Sequence, residues 1–397
     1  MSEHLPNGWQ LKTLGEFVDF KNGVNADKSA YGTGMKFVNV MDVFQGEFLT
    51  SNKIRGSVQI SEKQKQEFSV IKGDILFNRT SETREDIACT TVYMDDTPAT
   101  FGGFVIRGRQ FPNLLTPEFS GYCFQSSFMR KELIRRGQGA IRSNIGQKDL
   151  NKVTIFIPPM HQQNKIAETL ITWDKAIEKT EALITAKQKQ FDWLARNLLS
   201  LNDSQCKTRY TKFGDVIDER CSKSTVNNAY PCLTSSRKGM FLQEDYFNKK
   251  VASKNNTGYK IIKRGDFTFR SMSDDGTFVF NRQDIVGCGL VSPAYSVFYP
   301  VNIDSDFLMY FLNSSNFKRM LNKKIQGGTR VSLKLNAIKD AQVILPSRSK
   351  QTSIAHKLNY AKHEIETLKV LANKYNEQKC GLMQKLLSGE WQMKGAA

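Results

Sequence analysis

The chain has 397 residues, with 57 Lys plus Arg against 39 Asp plus Glu, a formal net charge of +18 and a pI near 9.5. A composition of 40% hydrophobic and 24% charged residues is that of a globular protein and excludes long disorder, while the length points to two or three domains. So large a positive excess makes a polyanion, nucleic acid before membrane, the first partner to consider.

The opening "MSEHLPNGWQ" has no basic segment followed by an apolar run, so no signal peptide is expected, and no stretch approaches the ~18 apolar residues of a membrane span. After "LGEFVDFKNG" come β-leaning runs, "KFVNVMDVF", "TTVYM", "GGFVIR" and "VTIFI", separated by Gly, Asn and Asp turns. They predict an α+β globular domain over 1–158. Its loops "LFNRTSETR" and "GAIRSN" set Arg79, Thr80 and Arg84, then Arg142, Ser143 and Asn144, in one kind of pattern: Arg beside small hydroxyl or amide side chains.

Pro158-Pro159 punctuates the start of a long helix, predicted within 159–201. A 4-3 spacing picks out Ile166, Leu170, Trp173, Ile177, Thr180, Ile184, Lys187, Phe191, Leu194 and Leu198. Period 3.5 over several heptads is a coiled-coil seam. The alternative is a helix packed on its own domain.

The same order then returns. A second α+β domain over 202–346 carries "FGDVID", "TSSRKG" (Ser235, Ser236, Arg237, Lys238), "RGDFTFRSMS" (Arg270), "YSVFYP", "GGTRVS" (Arg330) and "AQVIL". Pro346 leads into a second helix, predicted within 347–397, with a seam at Ile354, Leu358, Ala361, Ile365, Leu368, Ala372, Tyr375, Lys379, Leu382 and Leu386. "QGAIRSN" at Gln138 and "QGGTRVS" at Gln326 lie 188 residues apart, as do Tyr122 and Tyr310, Pro158 and Pro346, and the two "LLS" segments. Further upstream the offset grows to 192 for "KGDILF" over "RGDFTF" and 199 for "LGEFVD" over "FGDVID". An ordered, colinear series of this kind is an internal duplication. Two helices of one period predict an intramolecular antiparallel coiled coil and a pseudo-two-fold repeat.

Motifs of catalysis are missing. There is no G-x-x-x-x-G-K-[ST], and "FIPPM" at 156–160 lacks the Asn of an Asn-Pro-Pro-aromatic methyltransferase signature. Four scattered histidines and seven lone cysteines suggest neither a metal site nor a disulfide frame, and fit reduced thiols in a cytosol. The arginine loops fit binding better: Arg can bridge guanine O6 and N7, Asn can pair with adenine, and Ser and Thr take phosphates. Arg142 and Arg330 hold equivalent positions and are expected to share one duty, phosphate contact or scaffold. Base reading is expected where the copies differ, as in "LFNRTSETRED" against "TFRSMSDDG". Two other classes stay open: a methyltransferase with unrecognised motifs, which would bind S-adenosylmethionine alone, and a coiled-coil scaffold for proteins only.

Two variable domains, each followed by P-x-x-x-Q-x-x-I-A-x-x-L, as in "PPMHQQNKIAETL" and "PSRSKQTSIAHKL", and each closing in "LLS", resemble the specificity subunit of type I restriction–modification systems. The resemblance covers essentially the whole chain. It implies two target-recognition domains reading a split site in double-stranded DNA, and conserved helices docking two modification subunits through the segments of Gln163, Ile166 and Leu170 and of Gln351, Ile354 and Leu358. It further implies S-adenosylmethionine on those partners rather than on this chain, possible restriction subunits, and no catalytic residue here. The usual Glu-Gln of the helix opening is Gln162-Gln163 in one copy and Lys350-Gln351 in the other.

Overall fold

Ile75, Leu76 and Phe77 are all fully buried, and a run apolar on both faces belongs at the centre of a sheet. In the computed structural model, which describes residues 5–139, 142–200, 209–247, 255–322 and 331–392, the strand Ile75–Asn78 holds that place. It lies between Val105–Gln110 and Thr90–Tyr93, with Val18–Asn22 and Phe48–Leu49 outermost. The duplicate strand Phe267–Arg270 lies between Tyr295–Pro300 and Asn281–Arg282, with Ile217–Glu219 beyond, in the same order. A smaller two-stranded ladder closes each copy: Gln10–Thr13 with Thr154–Ile157, and Arg209–Lys212 with Gln342–Leu345. One β-leaning run behaves otherwise. "KFVNVMDVF" leaves its strand at Val38 and turns into the short helix Val40–Val43, because Asp42 accepts the Asn39 N–H at 2.8 Å and caps it.

The repeated Gly-Asp before each central strand has a physical cause. Gly73 and Gly265 adopt φ of 91° and 87°, the left-handed region open to glycine. Asp74 and Asp266, each 2% exposed, then accept the N–H of Ile71 at 2.8 Å and of Lys263 at 2.7 Å. Each carboxylate also binds an arginine, Arg109 in the first copy and Arg220 in the second. Arg109 belongs to the strand Val105–Gln110 whereas Arg220 follows Ile217–Glu219, so the duplicate keeps the ion pair but not its source.

The chain divides into two compact units, Met1–Thr180 with Leu371–Ala397, and Glu181–Val370. The helices Met160–Leu198 and Arg348–Leu387 pass from one to the other, so each unit holds one globular domain, the front of one helix and the tail of the other. In the first unit Ile166, Leu170, Leu386 and Leu387 join a core built on Phe17, Phe77, Phe119 and Tyr122. In the second, Ile354 and Leu358 join Phe213, Phe267, Phe298 and Phe311. All twenty positions picked by the 4-3 spacing are buried or half-buried, and between Thr180 and Phe191 only Ile184 and Lys187 escape full exposure. The polar ones have local partners. The Thr180 hydroxyl donates to its own helix at Ala176 O, Lys187 pairs with Glu364 at 2.8 Å, and Lys379 pairs with Asp174 at 2.5 Å and Glu47 at 3.2 Å.

Gln163 and Gln351, 1% and 4% exposed, explain why both copies keep this residue at the helix opening. Gln163 accepts the Thr116 N–H at 2.9 Å and donates to the carbonyls of Leu114 and Pro158 at 2.9 Å each. Gln351 accepts the Asp304 N–H at 2.9 Å and donates to Pro346 O at 2.9 Å. The side chain therefore fastens a helix to its own domain. Gln163→Ala would strand three buried backbone groups, and a loss of about 3 kcal/mol is expected in denaturant unfolding, with Gln163→Glu failing to restore it because a carboxylate cannot donate.

Candidate nucleic-acid interface

In the second unit the strands Leu233–Ser236 and Gly239–Leu242 form a hairpin in which Ser236 pairs with Gly239. Arg237 and Lys238 are its two-residue turn and are exposed; Gly239, at φ 128°, lets the turn close. Beneath it, Asn281 donates to Ser235 Oγ and Ser236 O, both at 2.8 Å, and Tyr295 OH donates to Ser235 O at 3.3 Å. The hairpin is thus tied to the sheet by buried amide chemistry. It overhangs a cleft of about 550 Å³ whose lining includes Ser235, Ser236, Arg237, Lys238 and Arg270, five residues that the sequence singled out from two separate segments. Arg270, last in the central strand, is exposed, and its guanidinium has no hydrogen bond or ion pair among the described residues.

The cleft also contains apolar surface, of which the aromatic part was not revealed by residue patterns. Tyr246 and Phe247, 41% and 38% exposed, and Met272, 47% exposed, interleave flat or soft apolar surface with the cations. Cations beside exposed aromatic faces suit a nucleic acid, which offers both phosphate and base surface. Asp275 lies opposite the turn, its Oδ2 2.5 Å from Arg237 Nη2. The Thr277 N–H foremost, then Arg237 and Ser273, hold its carboxyl well below the usual carboxylate range.

The first unit assembles its candidates on a two-residue ladder, Thr80–Ser81 against Ser143–Asn144. Its duplicate is Met272–Ser273 against Val331–Ser332. The supporting hydrogen bonds repeat as well. Ile145 N–H donates to Arg79 O at 3.0 Å and Leu333 N–H to Ser271 O at 3.0 Å. Arg79 therefore corresponds to Ser271, and Asn78 to Arg270, so the copies present different side chains from one backbone frame. Beside Arg79 stands Phe104, 67% exposed, whose carbonyl accepts the Arg79 N–H at 2.9 Å.

Gln138 and Asn144, the two ends of "QGAIRSN", exchange backbone hydrogen bonds of 2.8 and 2.7 Å. A Cβ on Gly139, at φ 113°, would lie 2.1 Å from Arg142 O, so this glycine serves the loop. Arg142 is exposed, 3.8 Å from Glu82, and Arg84 is exposed nearby. In the duplicate, residues 326–330, Arg330 among them, lie outside the described residues.

Several expected assignments change. Ser143 is 6% exposed and belongs to the interior. The amide of Asn144 accepts from the Thr80 hydroxyl at 2.9 Å and donates to Arg142 O at 3.3 Å, so it braces its neighbours. Gln163, Ile166, Leu170, Gln351, Ile354 and Leu358 are all buried in their own units, at most 4% exposed, and cannot themselves be a docking face. The apolar residues that the helices do expose are others, among them Trp193 at 60% and Tyr360 at 75%. Gln162, where the copies differ, accepts the indole N–H of Trp9 at 2.8 Å.

The chain matches the type I restriction modification DNA specificity domain over residues 6–187 and again over 211–374. It is 20% identical over 424 residues to the type I restriction enzyme MjaVIII specificity subunit of Methanocaldococcus jannaschii, covering 98% of this chain and 94% of that one. Among solved structures it resembles the HsdS subunit from Thermoanaerobacter tengcongensis, with a TM-score of 0.58 at 15% identity over 98% of this chain and 99% of that one. It also resembles the type I restriction–modification S subunit from M. genitalium, with a TM-score of 0.51 at 16% identity over 99% of both chains. A third likeness, TM-score 0.61 at 15% identity over 98% of this chain and 100% of the other, is to a chain from a study of complex assembly and conformational transition of the type I restriction–modification system.

Proposed function

The chain belongs to the type I restriction–modification DNA specificity family, and from that membership we propose how its residues divide the work. It is the sequence-specific DNA-recognition subunit of a type I complex and is itself non-catalytic; methylation and cleavage belong to the modification and restriction subunits with which it assembles. The finer reading is that residues 1–158 and 202–346 each recognise one half of a split site. Residues 159–201 and 347–397 then act as an antiparallel coiled-coil spacer, S-adenosylmethionine is held by the modification subunits, and the complex works in the cytoplasm. Among the described residues no helix is long and apolar enough to cross a membrane.

The observation that carries this reading is the cleft of the second unit, where two distant segments converge to put Arg237, Lys238 and Arg270 beside Tyr246 and Phe247. Guanidinium groups there suit guanine edges and phosphates, and the aromatic walls suit bases or sugar. Arg142 sits on the loop that both copies repeat, so it is assigned to phosphate. Modification subunits are assigned to the outward faces of the helices, where Trp193 and Tyr360 offer the amphipathic anchors that interfaces favour.

The test is selection from a randomised duplex library by the chain bound to its modification subunits, read as recovered sequence. A bipartite site is expected. Arg142→Ala should weaken binding to every sequence alike and lower the salt slope by about one, as loss of a single phosphate contact does. Relaxed choice at one base pair in that variant would assign Arg142 to base reading instead.

A further inference from the structure

A carboxylate at a DNA-binding surface is costly, since it repels phosphate, and Asp275, its side chain 49% exposed, pairs with Arg237, whose side chain lines the cleft. Its position is held from several sides. Asp275 Oδ1 accepts from Ser273 Oγ at 2.9 Å and from the Thr277 N–H at 3.0 Å, leaving Oδ2 to meet Arg237 Nη2 at 2.5 Å. Arg237 lies in a two-residue turn with its side chain 66% exposed, and an arginine there with no partner would sample many rotamers. One edge of its guanidinium is engaged by Asp275, which leaves other N–H groups of the planar fork for a ligand.

We propose that Asp275 is a positioning residue that aims Arg237 at a single guanine in the half-site read by the second unit. This rests on the reading of that unit as a DNA-recognition domain and deepens it by assigning a base class to one side chain. A phosphate contact needs only positive charge and tolerates a mobile side chain. Bidentate contact to guanine O6 and N7 needs a fixed fork, and a carboxylate that holds the fork raises selectivity while lowering general affinity. Lys238, next in the turn and without an ion pair among the described residues, is left to the backbone.

The experiment uses the full chain with its modification subunits and compares wild type, Asp275→Asn and Arg237→Lys by library selection and by salt-dependent binding to non-cognate duplex. Asp275→Asn keeps an oxygen for Ser273 and Thr277 but turns an amide N–H₂ toward Arg237. Guanine preference at one base pair of one half-site is expected to fall about tenfold in both variants, and at the same base pair. Non-cognate binding should be unchanged or tighter in Asp275→Asn. Arg237→Lys alters an exposed side chain, so its arm does not depend on how the Asn variant folds. Unaltered base preference in Asp275→Asn, uniform weakening across all sequences in Arg237→Lys, or effects at two different base pairs would overturn the proposal. A wild-type complex that selects no second half-site would overturn the reading of the unit itself, which is a separate failure.

Discussion

Replacing residues 1–157 with the corresponding domain of a family relative is expected to exchange one half of the DNA site and leave the other half as it was. The cleft that holds Arg237, Lys238 and Arg270 lies wholly within Glu181–Val370, and the ladder with Arg79, Thr80 and Arg142 wholly within the other unit. No candidate reading side chain is shared. The junction is also undemanding, because Gln163 fastens the helix through backbone groups of Leu114 and Thr116, which a donor domain of the same fold can supply whatever its sequence, and of Pro158, which the chimera keeps. The costs are repacking of Ile166, Leu170, Leu386 and Leu387 on donor core residues, about 1–3 kcal/mol, and the need for the donor to supply counterparts of Glu47 and Tyr122 to Lys379 and Asp174. The effect on specificity is far larger. Each mismatched base pair costs about 1–3 kcal/mol, so the old first half-site should fall toward non-specific affinity. Mapping of methylated positions in cells carrying the chimera with its modification subunits reads both halves at once. Loss of both in a folded, assembled chimera would show that the two domains do not read independently.

Removal of the Lys379 side chain is expected to destabilise the protein far more than an ordinary substitution on a helix surface does. Lys379 is 14% exposed, paired with Asp174 and Glu47, and its ammonium lies 5.3 Å from the ring centre of Tyr122. Tyr122 in turn donates to Asp174 at 2.5 Å. Lys379→Ala leaves two carboxylates facing each other with no cation, and a cost of about 3 kcal/mol is expected, at the low end for a broken buried pair because both carboxylates keep some water. Burial works against the ammonium, but Asp174 and then Glu47 outweigh it and raise the Lys379 pKa. A raised folded-state value means that the contribution is complete below the ordinary lysine value and is lost only as pH climbs through the raised one. The deficit of the variant should therefore be constant from about pH 6 to 9 and shrink above pH 10. The duplicate offers a control. The equivalent position is Phe191, which packs at 6.1 Å on Tyr310, the counterpart of Tyr122. Lys379→Phe combined with Glu47→Gln and Asp174→Asn should thus recover much of the loss in thermal unfolding. Failure to recover would mean that the site requires the charge itself.

The duplication was legible from the sequence because an ordered set of offsets needs no coordinates, and the helices were legible because a 3.5-residue period is a local property of the chain. Every seam position chosen by that period is sheltered in the structure, including Thr180, Lys187 and Lys379. The Gly-Asp turns and the arginine-bearing loops could likewise be found by inspection. Tertiary structure decided which of those residues face outward. Ser143 and Asn144 look alike as surface recognition residues in one dimension, yet strand pairing with Thr80–Ser81 buries Ser143 and ties the Asn144 amide to the Thr80 hydroxyl. The repeated glutamines look like a partner's docking mark, yet their backbone contacts place them inside. Tyr246 and Phe247 gave no signal at all, because a cleft is made by segments that meet only after folding. Sequence by itself determined the repeat, the helices and the basic character of the chain, since periodicity, order and charge are sums over neighbours. Only the fold decided the composition of the cleft and the partner of each arginine, since burial and contact depend on residues far apart in the chain.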